Sequence, residues 1–402
     1  MQQITRQDYL NWLIRWQGRQ IIKVISGVRR CGKSTLFAQY QKYLIDNNVG
    51  KDQIIFINFE DLSYEALTDY KALYLYLKDR LAENKMNYIF LDEVQHVKQF
   101  EKAVDALYVQ ENCDIYITGS NAALLSGELA TLLSGRYVEL KMLPLSFKEY
   151  HSAFPEETLQ ASFNRYISQG SFPYPVKYSL DAAEVREYLQ DIYNSILLKD
   201  VVARNHITDI ANLERIVQFL MHNVGNRVSA VKIANTLKSQ GKGIDPKTVD
   251  KYIRGLTDSL MFYPARSYNI KGKAYLTNQP KYYAVDLGIR QMLTAGRDSN
   301  IGYILENVIY LELRRRYPQV FVGSLDNGEV DFVAIDKNER LSYYQVAATT
   351  LDDNTLKREL APFKQIEDNY PKYLITLDTF FANADYQGIL KVNAVDWLLG
   401  EA

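Results

Sequence analysis

Eight consecutive residues, Gly27-Val28-Arg29-Arg30-Cys31-Gly32-Lys33-Ser34, constrain this chain more than any other stretch. Two glycines separated by four residues and followed by Lys-Ser let the backbone turn back on itself, so that successive N–H groups converge on one point, where a phosphate is the natural occupant. The flanks agree. Ile21-Ile22-Lys23-Val24-Ile25-Ser26 is a β-branched run of strand length, and Thr35 to Leu44 is compatible with a helix. Strand, glycine loop and helix in that order aim the positive end of the helix at a bound anion. Gly27, Arg30, Cys31, Gly32, Lys33, Ser34 and Thr35 are therefore the candidate contacts to a nucleotide. Before them, Thr5-x-x-Asp8 has the pattern of a capping box opening a short helix over 4–17.

A nucleotide site of this kind also needs acids at a neighbouring strand end. Asn87-Tyr88-Ile89-Phe90-Leu91-Asp92-Glu93 supplies them: a short apolar strand that finishes in two carboxylates. In that arrangement Lys33 reaches the β- and γ-phosphates, Ser34 and Asp92 hold Mg2+, and Glu93 polarises the attacking water. Gln53 to Phe59 and Asp114 to Asn121 read as two more strands, with helical patterns between them. Alternation of strand and helix predicts an α/β fold with a parallel sheet covered on both faces and the ligand at the carboxyl ends of its strands. Ser120 and Asn121 then stand where a side chain senses the γ-phosphate or orients water, and Asn121 joins Lys33 and Glu93 as a candidate catalytic residue.

The length of 402 residues exceeds one comfortable core and points to several domains. The beginning of the chain lacks the layout of a signal peptide, and no window approaches the roughly 18 apolar residues of a membrane span, so a cytoplasmic protein without membrane contact is expected. The two cysteines, Cys31 and Cys113, predict no structural disulfide, because the first lies in the glycine loop. The four histidines, His96, His151, His206 and His222, have no metal-ligand spacing.

Val28 to Ser34, Leu91-Asp92-Glu93-Val94-Gln95, Thr118-Gly119-Ser120-Asn121, Leu132-Leu133-Ser134-Gly135-Arg136 and Met142-Leu143-Pro144-Leu145-Ser146-Phe147-Lys148-Glu149-Tyr150 together resemble the AAA-type domain of a large group of prokaryotic ATP-binding proteins. In that group the domain precedes a C-terminal domain with a restriction-endonuclease-like fold. The resemblance implies ATP and Mg2+ as cofactors and an assembly of several copies. It also makes Arg136 a candidate arginine finger or sensor acting on the γ-phosphate, the alternative being an arginine that structures its own turn.

The net charge of −1 hides a local asymmetry. Between Ala211 and Lys281 stand twelve Lys or Arg against four Asp or Glu, an excess of eight that leaves the rest of the chain at −9. The same region reads as an apolar helix from Asn212 to Met221, a second helix opening at Ser229, and a third at Asp245-Pro246, where Asp as N-cap and Pro in the first turn make a strong start. A hairpin signal around Asn269-Ile270-Lys271-Gly272 follows. Three helices and a ribbon predict a winged helix-turn-helix, with Lys247, Lys251 and Arg254 along one face of the third helix and Lys271 and Lys273 in the ribbon as candidate DNA contacts. Winged helices attached to ATPases also serve as protein-contact modules, and both readings stand.

In the last third, a helical pattern over 304–313 is followed by two strands, Glu329 to Ile335 and Leu341 to Ala347. Restriction-endonuclease-like sites use a helix acid and a strand Asp to bind Mg2+, and an acid-x-Lys on the next strand. Glu306 and Asp331 match. Gln345 stands in place of the second acid and Ala347 in place of the lysine, so the site reads as degenerate, with Lys357 or Arg358 as spatial substitutes. The expected domains are an ATPase over 1–148, a helical linker over 149–208, the winged helix over 209–288 and the nuclease-like domain over 289–402. The function expected is ATP hydrolysis coupled to nucleic-acid binding or remodelling. The alternatives are a nucleotide-controlled protein-interaction switch and an ATP-regulated nuclease.

Overall fold

The protein is described here by a computed structural model covering residues 4–119, 133, 135–296 and 300–401. It divides into two compact units, residues 1–144 with 258–260, and residues 145–257 with 261–402.

The first unit runs α1 (Gln7–Trp16), β1 (Ile22–Gly27), α2 (Lys33–Asp46), β2 (Ile54–Asn58), α3 (Tyr70–Lys78), β3 (Asn87–Asp92), α4 (Phe100–Tyr108), β4 (Cys113–Gly119) and β5 (Tyr137–Met142). The five strands form one parallel sheet in the order β2-β3-β4-β1-β5. β1, β3 and β4 are buried along their whole length, as apolar strands covered on both faces must be. On one face Val24, Ile57, Ile89, Leu91 and Ile117 pack against Leu73 and Leu77 of α3 and Val104 and Leu107 of α4. Each such side chain contributes about 1.5 to 3 kcal/mol. The predicted strands all form, and β5 is added at the edge beside β1, where Tyr137-Val138-Glu139 is only partly buried. The capping box expected for α1 is corrected: Arg6 is the N-cap and makes no side-chain cap bond, because a guanidinium only donates and a cap must accept.

The second unit contains α5 (Leu159–Gln169), α6 (Ala182–Ser195), α7 (Ile210–His222), α8 (Ala230–Ser239), α9 (Pro246–Asp258), β6 (Phe262–Asn269), β7 (Ala274–Ala284), α10 (Leu287–Leu293), α11 (Ile301–Arg316), β8 (Gln319–Ser324), β9 (Glu329–Ile335), β10 (Leu341–Ala347), α12 (Asp353–Leu360), β11 (Lys372–Thr376) and β12 (Ile389–Asn393). The helices α8 and α9 start where the sequence predicts. Ser229 caps α8, accepting from the Lys232 N–H, and Asp245 accepts from the Lys247 N–H at the head of α9.

Two boundaries expected from the sequence fall inside this unit. Seven strands make one sheet, β12-β11-β10-β9-β8-β6-β7. The hairpin of β6 and β7 forms as predicted, but it is not a free wing: β6 pairs in parallel with β8 from beyond residue 288, satisfying the backbone groups that a solitary ribbon leaves open. The segment expected as a linker is likewise packed. Asp286 caps α10, and its carboxylate accepts from both the N–H and the hydroxyl of Ser171. A Cβ on Gly288 would come within 2.4 Å of the Gln169 carbonyl oxygen, so α5 and α10 touch at a position only glycine fits.

Candidate functional site

The glycine loop leaves β1 at Gly27 and enters α2 at Lys33. A Cβ on Gly27 would lie 2.4 Å from the Met142 carbonyl oxygen and 2.7 Å from Cys31 Sγ, so this turn needs the missing side chain. Gly32 takes φ 105°, a conformation open to glycine. Arg30 sits at φ 68° with its side chain exposed. Cys31 is free and fully buried, and burial raises its thiol above the ordinary range, so it fills space inside the loop. Arg6 holds the loop from behind: its guanidinium donates to the carbonyls of Cys31 at 3.1 Å, Leu143 at 2.8 Å and Pro144 at 3.3 Å.

The parallel register brings the carboxyl ends of β1, β3 and β4 together, and with them the residues singled out in the sequence. Lys33 Nζ lies 3.2 Å from Glu93 Oε1 and donates to the Gly27 carbonyl at 3.1 Å. Burial alone would lower the Lys33 ammonium, but the acidic groups around it outweigh burial and hold it charged. Asp92 accepts through Oδ1 from the Thr118 hydroxyl, and that same hydroxyl accepts the Glu93 N–H at 2.9 Å. Burial pushes the Asp92 carboxyl up, with the hydroxyls of Ser34 and Thr118 opposing it. Its other oxygen, Oδ2, is buried and receives no hydrogen bond from any described residue. Ser34 and Thr35 begin α2 with exposed side chains. An uncapped buried carboxylate oxygen beside an accessible serine hydroxyl is the donor set of a hard divalent cation. Glu93 is fixed in the left-handed region at φ 55°, and Gln95 Nε2 donates to its Oε2 at 2.6 Å.

Asn121, with Ser120, lies outside the described residues. Arg136, the candidate finger or sensor, is placed at the opposite end of the sheet from the glycine loop. It precedes β5, whose first residue pairs with Ile22, so Arg136 stands at the amino-terminal edge of the sheet, a strand length of roughly 20 Å from the loop. There it lies 3.7 Å from Asp105 and over the ring of Tyr108. Arg6, Gln95 and Thr118 were not foreseen as parts of the site. Thr118 was legible as the last polar residue of a strand adjoining Asp92; Arg6 was not, because its partners lie 25 and 137 residues away.

In the second unit, Glu306 from α11, Asp331 from β9 and Gln345 from β10 do meet, in a cavity of about 560 Å³. Its centre is Lys281 of β7, 5% exposed, whose Nζ lies 2.8 Å from Glu329 Oε1, 3.1 Å from Glu306 Oε1 and 3.8 Å from Asp331 Oδ1. Burial opposes the charge of Lys281, but Glu306, Asp331 and Glu329 outweigh it and raise the ammonium above its ordinary range. Burial, then the Glu306 charge, push the Asp331 carboxyl up to about 8. Gln345 accepts from the Asp331 N–H and donates to Glu359 at 2.8 Å. Of the substitutes considered for the missing lysine, Arg358 pairs with Glu359 at the cavity wall and Lys357 does not line it.

The candidate nucleic-acid residues divide. Lys247, Lys251 and Arg254 are exposed on α9, opposite buried Val249, Tyr252, Ile253 and Leu256. Lys271 and Lys273 are exposed at the hairpin turn, Lys271 paired with Asp326 at 3.0 Å. Two of the twelve cations counted in the sequence face carboxylates instead of solvent: Lys281, and Arg227, which binds Glu329 at 3.0 Å. Among the described residues no helix is long and apolar enough to cross a membrane, and no group of three His, Cys, Asp or Glu has metal-holding spacing.

Two family models match the chain. Residues 19–151 match the family model of an AAA domain, and residues 160–300 match a domain of unknown function. A Haemophilus influenzae protein described as uncharacterized is 39% identical over 401 residues, covering 98% of both chains. An uncharacterized protein of Methanocaldococcus jannaschii is 33% identical over 86% of this chain and 79% of its own. Among solved structures, AMPPCP-bound DnaA from Aquifex aeolicus matches at 15% identity and TM-score 0.32, over 65% of this chain and 90% of that one. The Aeropyrum pernix ORC1 protein in complex with DNA matches at 11% identity and TM-score 0.33, over 73% and 93%. Scores of this size do not reach a shared overall arrangement. The long, high-identity matches, with a P-loop at the carboxyl edge of a parallel five-stranded sheet, identify the chain as a member of the prokaryotic family that includes these Haemophilus and Methanocaldococcus proteins and carries an N-terminal AAA domain.

Proposed function

We propose that the first unit binds ATP with Mg2+ and hydrolyses it, and that the second unit carries the result to a nucleic acid. The observation that carries the first part is the state of Lys33. It is held between Glu93 and the Gly27 carbonyl, inside a loop whose backbone is already turned for a phosphate. A triphosphate offers Lys33 more negative charge than one carboxylate does. Its arrival draws the ammonium away and leaves Glu93 Oε1 to accept a proton from water. The Glu93 backbone is fixed by Thr118, so the carboxylate is released without being displaced. Ser34 and Asp92 would hold Mg2+, which supplies neutralisation of phosphate charge. Arg136 acts, in this reading, on the nucleotide of a neighbouring copy.

The nucleic-acid part rests on α9, which presents Lys247, Lys251 and Arg254 to solvent. Lys271 and Lys273 at the hairpin turn are secondary contacts. ATP hydrolysis by wild type and Lys33→Ala, each with and without single- and double-stranded DNA, tests both parts. Turnover that Lys33→Ala abolishes and DNA stimulates supports the whole reading. Turnover indifferent to DNA but raised by a protein partner selects the interaction switch, and no turnover in any wild-type condition overturns hydrolysis.

A further inference from the structure

The resemblance to restriction endonucleases implies a divalent metal among Glu306, Asp331 and the residue at 345. The residues present do not fit it. We propose that Lys281 is the permanent cation of this pocket, occupying with its ammonium the place where the nuclease pattern calls for a metal, so that the wild-type pocket holds no divalent ion.

The case starts from where the charges come from. β10 offers an amide at Gln345 and a methyl at Ala347 in place of an acid and a lysine, while β7 delivers a lysine from the other side. The Lys281 backbone is locked in the sheet, paired with Ala265 of β6, and its side chain is buried to the tip. The three carboxylates around Nζ stand at 2.8 to 3.8 Å, the spacing of ammonium hydrogen bonds and ion pairs. A metal such as Mg2+ or Mn2+ needs oxygens at about 2.1 Å, so the same oxygens would have to close in on a centre the ammonium already fills.

These oxygens are also committed elsewhere. Glu306 Oε1 accepts from the Tyr283 hydroxyl at 2.7 Å, and Asp331 Oδ2 accepts from the Val346 N–H at 2.9 Å. Glu329 Oε2 accepts from Arg227 Nε at 3.1 Å. In the first unit Asp92 Oδ2 receives no hydrogen bond from any described residue; here each acid has a protein donor in addition to Lys281. A dication entering beside a buried ammonium would meet like charge at contact distance, which low-dielectric surroundings magnify. The pocket is thus an acid cluster neutralised from within.

The inference predicts a gain of function. Full-length, nucleotide-free protein is titrated with Mn2+ and free ion is read by electron paramagnetic resonance, with Asp331→Asn separating this pocket from any other site. Wild type should show no Mn2+ binding that Asp331→Asn removes. Lys281→Met should acquire an Asp331-dependent Mn2+ ion, bound at least about tenfold more tightly than by wild type. Mn2+ should raise the melting temperature of Lys281→Met and leave that of wild type unchanged. Because Lys281→Met strands three acids, Lys281→Met/Glu329→Gln carries the same test with one charge fewer. An Asp331-dependent Mn2+ ion in wild type overturns the proposal, whatever the variants do. So does a folded Lys281 variant that gains none.

Discussion

Among the lysines that each unit buries against carboxylates, Lys33 and Lys281 are held in opposite ways. Lys33 has a single acid at 3.2 Å and a carbonyl of its own loop, with Asp92 nearby and one carboxylate oxygen uncapped. Lys281 has three acids, each with further donors. A lysine beside an acid therefore does not by itself mark a site. What separates the two is the number of bonds a ligand must displace, and which polar atoms are left wanting a partner. By that measure the first pocket is prepared for a ligand and the second is already satisfied.

The comparison breaks most plainly at Glu93. If the Lys33 to Glu93 contact is a resting state, Glu93→Gln should slow ATP hydrolysis by about 10²- to 10⁴-fold, the range for loss of a general base, while nucleotide binding survives. Single-turnover hydrolysis alongside equilibrium binding of a fluorescent ATP analogue separates the two, and loss of binding in parallel would make Glu93 part of the loop's structure. Next in size is Arg6→Ala, which removes charged donors from three carbonyls and should cost about 2 to 3 kcal/mol in denaturant unfolding. Arg6→Lys should recover only part of this, since an ammonium lacks the planar fork.

The second pocket is tested through a pH dependence. Asp331 keeps its proton in the folded protein to about 8, whereas an unfolded aspartate loses it near pH 4. Between those values unfolding releases a proton, so wild-type stability should fall as pH rises, and level off above about 8. Asp331→Asn lacks this dependence. Its stability relative to wild type should rise steadily across the window, read from urea melts at several pH values. A constant difference would mean that Asp331 stays ionised beside Lys281.

Much of the first unit was legible because its signals are local. The glycine loop, the strand ending in Asp92-Glu93 and the β-branched runs each announce themselves within ten residues, and parallel pairing then brings their ends together. β5 escaped because an edge strand needs no continuous apolar run. The position of Arg136 escaped because sequence says which loop a residue is in but not at which end of a sheet. Lys281 was counted among surface cations because nothing near it in sequence shows that Glu306 and Asp331, 25 and 50 residues on, close around it. The starts of α8 and α9 were readable from their caps, whereas the union of β6 with β8 is a long-range pairing that no local pattern encodes.

That union sets how this half of the molecule can be inherited. The helices α7 to α9 have the outline of a cassette transferable from one protein to another. Yet the hairpin behind them supplies both the strand on which β8 builds and the lysine that neutralises acids from later in the chain. A chimaera joined at 288 would leave one partner with a raw sheet edge and a nest of uncompensated acids, and the other with a stranded cation. The helical module and the acidic pocket should therefore travel between genomes as one piece.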